Sequence, residues 1–73
     1  MKKTEKLRVL IPHWIEHNEV HAGEFRSWAD EAGEAAGDIL DAADQMSRLN
    51  QSLETALEKL GGPLPHMHEE FHL

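Results

Sequence analysis

The chain has 73 residues, no cysteine, and 14 acidic against 7 basic side chains, for a formal charge of −7. It can form one domain at most, with a marginal core and neither a disulfide nor a thiolate metal site to reinforce it. An acidic body repels a phosphate backbone, which argues against nucleic acid as a partner, and no apolar run approaches the ~20 residues that cross a bilayer.

Residues 1–10 form a basic arm containing Lys2, Lys3, Lys6 and Arg8. A secretory signal is not expected there, because Arg8, Pro12, His13 and Glu16 interrupt any apolar core, so the cytoplasm is the expected compartment. Apolar or small residues then recur every seven positions at Ile11, Phe25, Ala32, Ile39, Met46, Leu53 and Leu60, with Asn18 alone breaking the series. This is the helical period, and it predicts an all-α fold. Pro12 suits a first helical turn, where its missing N–H costs nothing, so the first helix is expected over 11–32. Trp14, Phe25 and Trp28 are its expected core anchors, and Asn18 is expected to fix register. Gly33 and Gly37 bracket a turn over 33–37. Asp38 is the expected N-cap of a second helix over 38–60, which Gly61-Gly62-Pro63 terminates. Equal helix lengths favour an antiparallel hairpin over a single helix of about fifty residues, which the glycines alone would not forbid. Leu40, Leu49, Leu53 and Leu57 spread wider than one contact line, so two hairpins are expected to pair as a homodimeric four-helix bundle.

Six histidines fall in two groups: His13, His17 and His21 on the first helix, and His66, His68 and His72 in a His-rich tail over 61–73. The first three repeat at i, i+4 and i+8, which puts successive imidazoles ~5–6 Å apart at Cβ on one face. Two such rings can share a metal ion, as in H-E-x-x-H helices, although Trp14 stands where that motif has glutamate. Taking about 100° per residue, the row drifts inward, so His21 is expected nearest the core and His13 nearest solvent. Glu24 could add a carboxylate. In the tail, His-x-His followed by Glu69 and Glu70 reads as a flexible chelator. A hairpin returns that tail toward His13 and His17, gathering all six histidines at its open end. Imidazole and carboxylate without thiolate favour nickel, zinc or copper(II).

The segment Leu10-Ile11-Pro12-His13-Trp14-Ile15-Glu16-His17-Asn18-Glu19-Val20-His21-Ala22, with Phe25, Trp28 and Leu60-Gly61-Gly62-Pro63, resembles an uncharacterised family of small His-rich helical domains. These occur beside, or fused to, CooT-type nickel-binding proteins. The resemblance implies nickel as the ion and a metalloprotein or metallochaperone as a partner. An enzyme is not expected, since no nucleophile stands near a histidine in a recognised arrangement and no glycine loop cradles phosphate. Two readings therefore stand: a divalent-metal binder for storage, delivery or sensing, and a helical interaction module whose histidines carry only pH-dependent charge.

Overall fold

The computed structural model describes residues 2–65, and His66, His68 and His72 lie outside them. Two helices, α1 (Lys3–Ala29) and α2 (Ala36–Leu60), flank a short 3-10 turn at Gly33–Ala35. They run antiparallel: Arg8 reaches Gly61 and Gly62, Asn18 meets Asn50, and Arg26 reaches Ser47 and lies 3.8 Å from Asp44. The hairpin is therefore the fold, and the single long helix is excluded. No helix among the described residues is long and apolar enough to cross a membrane.

α1 begins eight residues before the position expected from Pro12. Most of the expected basic arm is helical, opened by Lys2, whose backbone N–H donates to the Glu5 carboxylate at 3.0 Å. Pro12 lies inside α1, where its missing N–H removes the bond normally made to the carbonyl four residues earlier, that of Arg8. That carbonyl accepts instead from the N–H of Leu64, at 3.2 Å, on the chain leaving α2. The Arg8 side chain completes the clamp, donating from Nε to the Gly62 carbonyl at 2.7 Å and from Nη2 to the Gly61 carbonyl at 2.8 Å. A proline that would ordinarily break a helix is thus accommodated by a contact more than fifty residues distant.

The turn also differs in detail. α1 ends at Ala29, the N–H groups of Glu31 and Ala32 close on the carbonyls of Trp28 and Ala29, and Gly33 takes the left-handed φ of 56° that reverses the chain. Gly37 lies inside α2, and Asp38 is not the cap but an acidic residue of the first turn, complementing the helix dipole. At the far end, Gly61 adopts φ 115° and the Gly62 N–H bonds back to Leu57 at 2.9 Å, closing α2 in a Schellman-type cap. A side chain at Gly61 would also run into the Arg8 guanidinium.

The helices meet along one seven-residue series from each. On α1 it includes Ile11, Ile15, Asn18, Ala22, Phe25 and Ala29, and on α2 Ala36, Ala43, Asn50 and Leu57. Ala22, Ala29 and Ala43 are at most 3% exposed, so near the turn the backbones approach over methyl groups. In mid-hairpin, Asn18 Nδ2 donates to Asn50 Oδ1 at 3.0 Å, and Asn50 Nδ2 donates to the Ile15 carbonyl at 3.1 Å. Asn18 thus takes the inward place expected of it, with Asn50 as its cross-helix partner. Trp28 does not anchor the core. It is 67% exposed, because it lies one position off the series that faces α2.

Candidate metal centre

The i, i+4 spacing on an unbroken stretch of α1 brings His17 and His21 together. Their rings meet edge to face with centroids 4.5 Å apart, and the two Nε2 atoms are separated by 3.0 Å. On the other side of His21, Nδ1 stands 2.9 Å from Glu24 Oε1, three residues on. A carboxylate there accepts a hydrogen bond from Nδ1–H, and in that tautomer of the neutral ring the Nε2 lone pair of His21 is directed at His17. Without a metal, His17 supplies the Nε2–H that bonds to it. A metal ion between the two Nε2 atoms would replace that hydrogen bond, with His17 shifting its proton to Nδ1.

The expected inward drift of the histidines holds from His17 to His21 and fails at His13. His21 keeps 43% side-chain exposure, His17 is exposed, and His13 is half-buried rather than nearest to solvent. His13 lies on the back of α1, where it lines a shallow groove with Glu16, His17 and Val20. The angle count took only the α2-facing series as core, so it assigns no burial to a residue on the back of α1. Nor do His17 and His21 stand at the open end. α2 returns beside Arg8, and His17 and His21 lie about 14 and 20 Å farther along the α1 axis.

Glu24 has the geometry of an outer partner to His21 rather than that of a ligand beside it. This carboxylate-to-histidine arrangement commonly orients metal-binding imidazoles. Among the described residues no group of three or more histidine, aspartate, glutamate or cysteine side chains stands close enough to hold a metal ion. The hairpin therefore offers two nitrogen donors with one orienting carboxylate, half of the shell a transition ion needs.

The family comparison covers this same region. Residues 7–60 match the model of a family described as Domain of unknown function (DUF8180), and the chain belongs to that family. The matched stretch contains all of α2 and all but the first four residues of α1, with His13, His17, His21 and Glu24. No curated protein and no solved structure matches.

Proposed function

We propose that this domain binds a divalent transition-metal ion through Nε2 of His17 and His21, and acts in storage, delivery or sensing rather than in catalysis. The 3.0 Å separation of the two Nε2 atoms carries this reading. With metal–nitrogen bonds of ~2.0–2.1 Å, donors at a right angle lie about 2.9 Å apart and donors at the tetrahedral angle about 3.3 Å. The separation thus suits one ion once both rings turn so that their Nε2 lone pairs converge beside the line that joins them. Glu24 holds His21 by its far nitrogen, which fixes the direction of the ring. Nickel, zinc and copper(II) all suit an all-imidazole first shell, and the resemblance to domains found beside nickel-binding proteins favours nickel. The working form is a homodimer, since a two-helix layer leaves one broad apolar side uncovered. A helical interaction module without a metal is the competing reading, and Trp28, 67% exposed, is the observation that favours it.

Calorimetric titration of tag-free protein with each of the three ions separates these readings. Wild type is expected to bind, His17→Ala/His21→Ala to lose binding, and the full chain with His66, His68 and His72 all changed to Ala to retain it. Glu24→Gln is expected to weaken binding about tenfold, the lower end for loss of an orienting carboxylate. Because protons compete with the ion for the imidazoles, binding weakens on acidification. Retention of full affinity by the His17→Ala/His21→Ala protein would refute the site.

A further inference from the structure

α1 carries a second seven-residue seam, displaced by one position from the seam that packs on α2. The inner seam, Ile11, Ile15, Asn18, Ala22, Phe25 and Ala29, advances by alternate steps of four and three. The outer seam, Leu10, Trp14, His17, His21, Glu24 and Trp28, advances in the same steps, about 100° around the helix. α2 repeats the pattern with Ala42, Leu49 and Ala56 about 100°, and Met46, Leu53 and Leu60 about 60°, from its inner line in the same sense. Because the helices run antiparallel, equal displacements in one sense fall on the same side of the hairpin. That side is apolar apart from His17, His21 and Glu24, and it contains Trp28 and Leu49, 67% and 48% exposed.

The spacing of these seams identifies what covers them. Alternating steps of four and three are the spacing of a coiled-coil contact line, which requires a facing helix. The α1 outer seam is centred on position 19 and the α2 outer seam on position 51. Arg8 meets Gly62 and Arg26 approaches Asp44, so positions 19 and 51 lie level across the hairpin. A two-fold axis perpendicular to the helices at that level overlaps both seams over their full length at once. It sets Leu10 against Trp28 of the second copy and Leu49 against Leu53, and it brings His17 opposite His21. The hairpin measures 48 by 24 by 14 Å. Its broad side thus spans the ~800 Å² per partner of a standard interface.

We infer that a second copy of this chain packs on the outer seams, α1 against α1 and α2 against α2, and that the metal site is shared across the two-fold axis. Each copy supplies His17 and His21, so four imidazoles surround one ion, with a Glu24 orienting each His21. This inference rests on the metal reading above and supplies what the described residues of one chain lack, the second half of the ligand shell. The ion then acts as a clasp on the dimer, and metal supply controls association.

The test uses the full-length chain and treats geometry and metal separately. The protein has no cysteine of its own, so Ala42→Cys and Leu60→Cys, which the same axis sets against each other, can be made as two single variants and joined with a short bismaleimide. Crosslinked dimer is expected when the two are mixed and not from either alone, since two copies of either position lie about 27 Å apart along the axis. Crosslinking of each variant with itself, or none in the mixture, overturns the proposed packing. Calorimetry with native mass spectrometry is expected to show one ion per two chains. Trp28→Glu should yield a monomer by sedimentation, with helix content kept and metal affinity at least tenfold weaker. One ion per chain, or undiminished affinity in monomeric Trp28→Glu, overturns the shared site while leaving the His17 and His21 pair standing. Mixed crosslinking without any metal binding removes the metal reading and the shared site together.

Discussion

The two seams of α1 have the same spacing, run the same length and differ by a single residue in phase, yet their chemistry is opposite. The inner one is narrow and closed, with small alanines where the helices come closest and one asparagine whose amide is matched by Asn50. The outer one carries both tryptophans and two imidazoles in contact, and Trp28 remains largely in water. A helix of this length has surface for two partners; here α2, the first, specifies the fold, and the second face holds the site we propose. Substitutions should divide accordingly, those on the inner seam affecting folding and those on the outer seam affecting association and metal.

The largest effect is expected at Ala43, which is fully buried at the closest approach of the helices. Ala43→Leu forces the backbones apart and should cost about 3 kcal/mol, the upper end for overpacking. Thermal unfolding followed by circular dichroism would show it, and an unchanged melting temperature would mean that the seam is looser than described. Next comes Asn50→Ala. It leaves the Asn18 amide without its acceptor, at a cost of about 1–3 kcal/mol in urea denaturation. Replacing both asparagines with leucine should restore much of that stability while loosening register, because two matched polar groups are exchanged for two matched apolar ones. The smallest effect is expected at Arg8→Ala, about 1 kcal/mol, since its two bonds to Gly61 and Gly62 are partly open to solvent. It should appear as fraying of the open end and leave the outer seam untouched.

Much of the fold was legible because the seven-residue period is a local property of the chain. The two helices, the reversal near Gly33 and the stop at Gly61 all follow from spacing and glycine. The beginning of α1 was not legible, because Pro12 is a valid first-turn residue on any local argument. What lets it sit ten residues inside the helix is the Leu64 N–H, visible only once the chain has folded back. Asn50 could have been found, as it occupies a seven-residue line with Ala36, Ala43 and Leu57 at the level of Asn18. The contact between His17 and His21 follows from their spacing. Whether Glu24 sits beside the donor nitrogen of His21 or behind its ring depends on rotamers, which sequence spacing does not specify.

The contact between Arg8 and the Gly61–Leu64 segment has a topological meaning as well. Three hydrogen bonds join the beginning of α1 to the chain that follows α2, so everything from residue 8 to residue 64 forms a ring closed without a covalent bond. Closing a loop of that length restricts the unfolded chain far less than the folded one, since the bonds break on unfolding and a disulfide would not. In a protein without cysteine, this ring ties down the open end of the hairpin, where helix termini ordinarily fray, so that α2 ends on fixed backbone and α1 is pinned at Arg8, five residues after its first.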